Sequence, residues 1–238
     1  MERENLDSVS DIYSNDPFER ENEIHCSNYV AKCVQYAEQR KSWLELGLGS
    51  GVVLQQLSEA FQDVRVLDGS PALVSRYAGK HPNVDIVFTY FEDYQTSERF
   101  SSIGMGFVLE HVNDPMTILT KYKKLLAPDG RFFIGVPAAS SIHRLLAARA
   151  GLLSDIRAMS ETDRRFGHKR YFTFDDWVEL FNNAGLKVLK AEGLYLKPFS
   201  TLQMESLLLG PSIYEALGSL ATELPQVSNA CFFMLGNE

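Results

Sequence analysis

The chain has 238 residues, of which 45% are hydrophobic and 23% are charged, enough for one domain with a substantial core and a small insertion. Its formal net charge of −8 excludes the basic surface that proteins reading DNA or long RNA usually carry. We therefore expect a small-molecule partner and no nucleic acid.

The N-terminal segment, Met1 to Asp11, is polar and acidic, which is the reverse of a secretory or mitochondrial targeting sequence. No apolar run in the sequence approaches the roughly 20 residues that a membrane span requires. These features predict a cytoplasmic protein without membrane contact. The sequence is compatible with both a monomer and a homodimer.

Strand and helix patterns alternate along the first half of the chain. An amphipathic helix is predicted from Pro17 to Arg40, because apolar residues recur there near the 3.6-residue period. Such alternation favours a parallel sheet with helices on both faces. Strand-like runs with helical patterns between them occupy residues 42–46, 64–67, 84–89, 100–108 and 131–136.

The alternation stops after Pro137, where the pattern predicts a helical insertion that forms a cap at about residues 140–170. Beyond the cap we predict a long connection, mostly helical between Thr201 and Leu209. The expected fold class is α/β: a Rossmann-like, doubly wound, mostly parallel seven-stranded sheet whose last strand is antiparallel. The remaining predicted elements are a helix at 173–184 and strands at 186–191 and 230–235.

Three glycines at alternate positions, Gly47, Gly49 and Gly51, separate the first strand from the next helix. Small residues let the backbone approach a ligand, and a helix N-terminus presents unpaired N–H groups to a phosphate or carboxylate. About twenty residues later, Asp68 ends the second strand, where a carboxylate can accept both hydroxyls of a ribose. The two features together predict a nucleotide-containing ligand.

Two alternatives to an enzyme built on that loop remain open from the residues. An NAD-dependent oxidoreductase would carry the fingerprint G-x-G-x-x-G, which needs glycine where this chain has Val52. A non-catalytic binding protein could keep the nucleotide fold, because a fold does not fix a function.

The stretch from Glu45 to Gly51 resembles the first motif of the class I S-adenosylmethionine-dependent methyltransferases, acid-x-Gly-x-Gly-x-Gly. Residues 66–71 resemble the second motif, whose acid holds the cofactor ribose. Residues 107–112 are similar to the segment that ends the family's fourth strand, beside the methionine part of the cofactor. Residues 126–131 are similar to the family's link into its fifth strand. The resemblance covers residues 17–235 and implies S-adenosylmethionine as cofactor and S-adenosylhomocysteine as product.

The resemblance also implies cofactor contacts. Where the family usually has an acid after the third strand, this chain has Tyr90, so Phe91 and Glu92 are expected to contact the adenine. By analogy, residues 1–40 would form a lid region before the methyltransferase domain at 41–238. The expected cofactor-binding residues are Tyr13, Glu45, Gly47, Gly49, Gly51, Asp68, Gly69, Ser70, Phe91, Glu92 and Phe107.

Methyl transfer needs aligned reactants and a base that takes the proton of the nucleophile. Histidine suits that role, and we predict His111 and His168 as catalytic candidates, with His25 and His143 as further possibilities. For His111 the alternative is a structural role at the start of a helix. The predicted reaction is methylation of a small molecule, on oxygen rather than nitrogen.

A basic run surrounds His168 in an otherwise acidic protein. Arg165, Lys169 and Arg170 could hold a carboxylate or phosphate of an anionic acceptor by charge-assisted hydrogen bonds. A solvated surface face is the alternative interpretation. No Cys-x-x-Cys spacing occurs, so the sequence predicts no metal site.

Overall fold

A computed structural model describes residues 19–38 and 40–237. The seven strands are β1 (Ser42–Leu46), β2 (Asp63–Asp68), β3 (Val84–Phe88), β4 (Phe100–Gly106), β5 (Leu126–Pro137), β6 (Leu186–Tyr195) and β7 (Ala230–Asn237). The α-helices of the described residues are α1 (Glu19–Tyr36), α2 (Val52–Ala60), α3 (Pro71–Tyr77), α4 (Pro115–Lys123), α5 (Ile142–Arg149), α6 (Glu161–Arg165), α7 (Phe174–Asn183), α8 (Thr201–Ser206) and α9 (Pro211–Glu223).

All seven strands form one sheet in the order β3-β2-β1-β4-β5-β7-β6. The strands from β1 to β5 are parallel, and β7 lies antiparallel to both β5 and β6. The predicted fold class, including the antiparallel last strand, is confirmed. This order puts the carboxyl ends of β1 and β4 side by side, where ligands of open α/β sheets bind.

The sheet is covered on both faces. Successive residues of a strand point to opposite faces, and β1 shows the consequence. Leu44 and Leu46 belong to one cluster of buried side chains, whereas Trp43 belongs to the other. None of the described helices is long and apolar enough to cross a bilayer.

Helix α1 is part of the core as well as a neighbour of the site. It ends at Tyr36, before the predicted end at Arg40, and it packs against α2, β6 and β7. Tyr29 and Cys33 are fully buried, and the Tyr29 hydroxyl donates to the Phe133 carbonyl at 3.0 Å. The lid role of residues 1–40 and the domain limits stay predictions, and Tyr13 lies outside the described residues.

Three predicted boundaries in the second half were wrong. Strand β5 begins at Leu126 and not at the predicted Arg131, because Leu126 pairs with Phe100 before an irregularity in the ladder. Strand β6 runs past Ala191 to Tyr195, which pairs with Ala230 of β7. Helix α9 occupies a stretch predicted as irregular connection, and it begins with a proline after Gly210.

The insertion after β5 holds two short helices in place of the one predicted stretch. Helix α5 ends at Arg149, and Gly151 follows with a positive φ of 74°. Arg144 donates to the carbonyl oxygens of Ile156 (2.8 Å) and Ala158, which ties the turns after α5 back to it. Helix α6 then leads into the basic run that surrounds His168.

Candidate active site

The glycine loop after β1 has the conformation that its sequence predicts. Gly47 and Gly51 have φ values of 88° and 86°, a left-handed region that favours glycine. A Cβ at Gly51 would lie 2.5 Å from the Tyr77 ring, so this position also has no room for a side chain. The loop N–H of Gly47 is anchored to the Leu67 carbonyl at 2.8 Å.

Asp68, at the end of β2, faces the glycine loop. Its Oδ2 accepts the Leu48 N–H at 2.8 Å, and its Oδ1 accepts the Ser70 N–H at 2.7 Å. The side chain is nearly buried and lines the cavity described below. Each carboxylate oxygen has a second lone pair, so these bonds are compatible with the predicted contact to a ribose.

Glu45 lies beneath the loop and is 1% exposed. It accepts hydrogen bonds from the Trp43 indole at 2.6 Å and from the Gly106 N–H at 3.1 Å. Burial raises the pKa of this carboxyl to about 8, and the same hydrogen bonds oppose the rise. Glu45 thus joins β1 to the end of β4, directly under the cavity.

Phe107, which follows β4, has a φ of 59°, an uncommon and strained conformation for a residue with a bulky side chain. Its N–H donates to the Gly135 carbonyl at 2.8 Å, and its ring stacks on His25 with centroids 5.6 Å apart. Backbone strain of this kind concentrates at binding sites. The strained turn presents the Phe107 ring to the cavity.

A cavity of about 1340 Å³ opens above the carboxyl ends of β1 and β4. Pockets for single ligands typically measure about 300–1,000 Å³, so this one has room for a cofactor together with an acceptor. Gly51 and Glu92 are not part of its described lining. The predicted cofactor residues that line it are Glu45, Gly47, Gly49, Asp68, Gly69, Ser70, Phe91 and Phe107.

The two predicted catalytic histidines both line the cavity and contact each other. His111, in the turn after β4, and His168, after α6, have ring centroids 4.7 Å apart in an edge-to-face arrangement. Burial lowers the pKa of His111 to about 3, helped by His168, and burial also lowers the pKa of His168. Both imidazoles are therefore neutral at pH 7.

Glu110 completes this cluster. Its side chain is 1% exposed, and Oε1 lies 4.0 Å from His111 Nε2. Burial raises the Glu110 pKa to about 8. Among the described residues, neither Glu110 Oε2 nor His168 Nδ1 has a hydrogen-bond partner, although both atoms are buried.

Arg170 fastens the cap to the turn after β4. Its guanidinium donates to the carbonyls of Leu109 and Val112, both at 2.6 Å, and of Asn113 at 2.9 Å. These bonds occupy the group that was predicted to hold an anionic acceptor, and Arg170 is not part of the described cavity lining. Arg165 and Lys169 do line the cavity, so that hypothesis now concerns these two.

Sequence reasoning missed a buried polar network on the side of the cavity nearest α1. Lys197 Nζ donates to Glu21 Oε1 at 2.7 Å, and Asn229 Nδ2 donates to the same oxygen at 2.9 Å. Asn229 Nδ2 also lies 3.2 Å from His25 Nε2. Burial lowers the pKa of His25 to about 4. The members come from separate segments, and no spacing in the sequence marks them as neighbours.

His143 of α5 completes that side of the cavity. Its Nδ1 is buried and has no hydrogen-bond partner among the described residues. Burial lowers its pKa to about 3, with Lys197 contributing. The two histidines that the sequence offered as further possibilities, His25 and His143, thus both face the cavity.

Comparisons with known proteins agree with this geometry. Residues 18–191 match a methyltransferase-domain family. The chain therefore belongs to that family, as a class I methyltransferase that uses S-adenosylmethionine. The predicted enzyme class and cofactor are confirmed, and they replace the nicotinamide and non-catalytic alternatives.

Several curated relatives are named ubiquinone biosynthesis O-methyltransferase, and two of them illustrate the likeness. The protein of Actinobacillus pleuropneumoniae serotype 7 (strain AP76) is 33% identical over 118 residues, 45% of this chain and 48% of the relative. The protein of Aeromonas salmonicida (strain A449) is 24% identical over 167 residues, 67% of this chain and 68% of the relative. The chain thus spans about half the length of the first relative.

A solved structure shows the same fold. The N-methyltransferase NodS from Bradyrhizobium japonicum WM9, in complex with S-adenosylhomocysteine, superimposes with a TM-score of 0.59 at 16% identity. The match covers 98% of this chain and 97% of NodS. At that identity the likeness establishes the fold and does not extend to the acceptor.

Proposed function

We propose that this methyltransferase acts on a hydroxyl oxygen of a small molecule bound in the cavity. The observation that carries the proposal is one cavity shared by the glycine loop and by the neutral imidazoles of His111 and His168. The curated relatives, named as O-methyltransferases, support oxygen as the acceptor atom. A cytoplasmic location stays a prediction.

The residues around the loop would hold the cofactor at the ends of β1 and β2. Gly47 and Gly49 would lie under its amino-acid end, and Asp68 would accept its ribose hydroxyls. When bound, S-adenosylmethionine supplies an electrophilic methyl group on a sulfonium. Phe91 lines the cavity, and we propose that it covers the adenine ring.

His168 is the best-placed base. A neutral imidazole accepts the hydroxyl proton as the new carbon–oxygen bond forms and the carbon–sulfur bond breaks, which leaves S-adenosylhomocysteine. Asp163 Oδ1 lies 3.7 Å from His168 Nδ1 and would stabilise the imidazolium that forms. His111, in ring contact with His168, would fix its orientation.

Cationic side chains of the cap line the cavity. Arg165 and Lys169 line the mouth on the cap side, and we propose that they bind a carboxylate or phosphate of the acceptor where it carries one. Lys169 Nζ donates to the Asn113 side chain at 2.6 Å, so an anionic group of the acceptor would compete with that hydrogen bond.

The test combines a panel of acceptors with one variant. Phenols, hydroxy acids, sugars and amines are incubated with the protein and S-adenosylmethionine, and products are detected by the mass of one added methylene. His168→Gln should lower turnover roughly 100-fold or more while S-adenosylhomocysteine affinity is unchanged. His81→Gln is the control, because His81 lies between α3 and β3, contacts Ser58 and is not part of the described cavity lining. Methylation of amines alone, or full activity of His168→Gln, would overturn the proposal.

A further inference from the structure

We propose that Glu110, His111 and His168 form a binding site for a divalent transition-metal ion, for which Zn²⁺ is the best match. The three residues can each offer one ligand atom, and these atoms all lie within 4.8 Å of one another. Two of them come from the turn after β4, and the third comes from the cap. The absence of a Cys-x-x-Cys spacing does not bear on this site, since it uses imidazole and carboxylate ligands.

A buried carboxylate oxygen of the cluster is unpaired: Glu110 Oε2 has no hydrogen-bond partner among the described residues. His168 Nδ1 lies 3.7 Å from Asp163 Oδ1 and is left to that carboxylate. An unsatisfied buried polar atom costs about 1–3 kcal/mol, and native proteins rarely retain one without a ligand, ion or water. The Glu110 side chain is 1% exposed, so bulk solvent does not satisfy it.

The cluster is held in place by the backbone around it. Lys169 N–H donates to the Glu110 carbonyl at 2.8 Å, which joins the segment after α6 to the turn after β4. The three carbonyl contacts of Arg170 fasten the same two segments. A site whose supporting bonds already exist can bind an ion with only side-chain movement.

The required movement is small. Ligand atoms of a tetrahedral Zn²⁺ site lie about 2.0–2.2 Å from the metal and hence about 3.4 Å from one another. Glu110 Oε1 and His111 Nε2 are 4.0 Å apart, and all three ligand atoms lie within 4.8 Å of one another, so the side chains must approach one another by roughly 0.6–1.4 Å. Asp163, at 3.7 Å from His168 Nδ1, would assist as a neighbouring carboxylate.

The ligand types select the ion. Two imidazoles and one carboxylate match Zn²⁺ sites that keep a fourth position open, whereas Mg²⁺ prefers oxygen ligands alone. The cluster lines the cavity, so the open position faces the acceptor. In the ion-bound state His168 coordinates the metal and no longer serves as the base, and an acceptor hydroxyl at the open position would instead lose its proton to solvent more readily. That last role rests on the proposed function, whereas the ion site does not.

The test is direct titration of untagged, EDTA-treated protein with ZnCl₂ and, in parallel, with MgCl₂, by calorimetry. We expect one Zn²⁺ per chain with micromolar or tighter affinity and no comparable Mg²⁺ binding. Glu110→Gln and His168→Gln should each weaken Zn²⁺ binding by roughly tenfold or more. Two controls should stay within about twofold of wild type: His143→Gln, a cavity histidine outside the cluster, and Cys26→Ser, a partly exposed thiol.

Retained S-adenosylhomocysteine binding in each variant shows that the variant is folded. It also separates the two proposals, because cofactor binding and Zn²⁺ binding are measured independently of any acceptor. Absence of saturable Zn²⁺ binding, or Zn²⁺ binding that survives both Glu110→Gln and His168→Gln, overturns the ion site. Loss in Cys26→Ser instead assigns the metal to thiols and also overturns it. Replacement of Zn²⁺ by Co²⁺ adds a visible absorption band whose intensity reports a four-coordinate site.

Discussion

The Asp68 carboxylate accepts the Leu48 N–H at 2.8 Å, so the end of β2 directly holds the glycine loop that follows β1. The family resemblance gives Asp68 a ligand role, and the structure gives it a second, structural one. The same side chain thus shapes the loop and lines the cavity, which makes it the most informative position for a cofactor-binding test.

Asp68→Ala should weaken S-adenosylhomocysteine binding by about 1–3 kcal/mol, because the variant leaves the ligand's hydroxyls and two backbone N–H groups without their acceptor. This corresponds to a roughly 5- to 150-fold higher Kd in calorimetry. Asp85→Ala on the neighbouring strand is the control, since its carboxylate is 59% exposed and pairs with Arg65. Equal affinities for Asp68→Ala and wild type would remove Asp68 from the cofactor site.

Gly104 lies in β4 against Glu45. A Cβ there would overlap Glu45 Oε2 and would lie 2.7 Å from both the Trp43 ring and the Tyr29 hydroxyl oxygen. Because Glu45 is held by the Trp43 indole, it has little freedom to move away. Gly104→Ala should therefore lower the free energy of unfolding by about 1–3 kcal/mol, as overpacked cores do.

Urea denaturation measures this loss. Gly210→Ala is the matched control, because its Cβ would meet no heavy atom within 4 Å and its φ of −71° suits alanine. A Gly104→Ala variant as stable as Gly210→Ala would show that β4 and Glu45 can separate without cost.

Glu21 and Lys197 form a largely buried ion pair. Burial alone would raise the pKa of Glu21, yet Lys197, together with His25 and Thr201, lowers it to about 2, so the carboxylate is ionised in the folded protein. Lys197→Met leaves that charge buried and unpaired and should cost about 3–5 kcal/mol of stability. The double variant Glu21→Gln/Lys197→Met should recover most of the loss, since it removes both charges.

An exposed pair provides the comparison. Arg157 binds Asp176 at 2.9 Å, and its side chain is 51% exposed. Arg157→Met should therefore change stability by no more than about 1 kcal/mol. Similar losses for Lys197→Met and Arg157→Met in the same denaturation experiment would contradict the interpretation of Glu21–Lys197 as a buried charge pair.

The contrast between Asp68 and Lys197 shows how far sequence reasoning extends in this fold. Asp68 follows a strand at a fixed distance from a glycine loop, and parallel strands bring those two segments together by rule. Lys197 and its partner Glu21 lie at the two ends of the chain, and only the packing of α1 against β6 joins them. No local pattern carries that information.

The position of the cap also depends on tertiary packing that no local sequence pattern indicates. His111 and His168 were predicted separately as bases, from their residue type and their positions beside strand ends. Their contact depends on Arg170, whose hydrogen bonds to three backbone carbonyls bring the cap onto the turn after β4. The sequence indicated a ligand role for Arg170, because a guanidinium that binds carbonyls has the same local pattern as one that binds an anion.

His25 should make the stability of the folded protein depend on pH. Burial lowers its pKa from 6.5 to about 4, with Glu21 opposing and Lys197 adding to the shift. The folded protein keeps His25 neutral, whereas the unfolded chain takes up a proton on His25 below about pH 6.5. The contribution of His25 to the free energy of unfolding is therefore complete above that pH. It is lost as pH falls toward 4, and it amounts to at most about 3 kcal/mol.

Other groups titrate in the opposite sense, which makes a difference measurement necessary. Burial raises the pKa of Glu45 to about 8, so its contribution is complete below about pH 4.5 and declines as pH rises through 8. Subtracting the stability of His25→Gln from that of wild type, at each pH between about 5 and 7, isolates the His25 contribution. That difference should shrink by roughly 1 kcal/mol per pH unit below about pH 6.5. A difference that is constant with pH would show that His25 is as accessible to protons in the folded protein as in the unfolded chain.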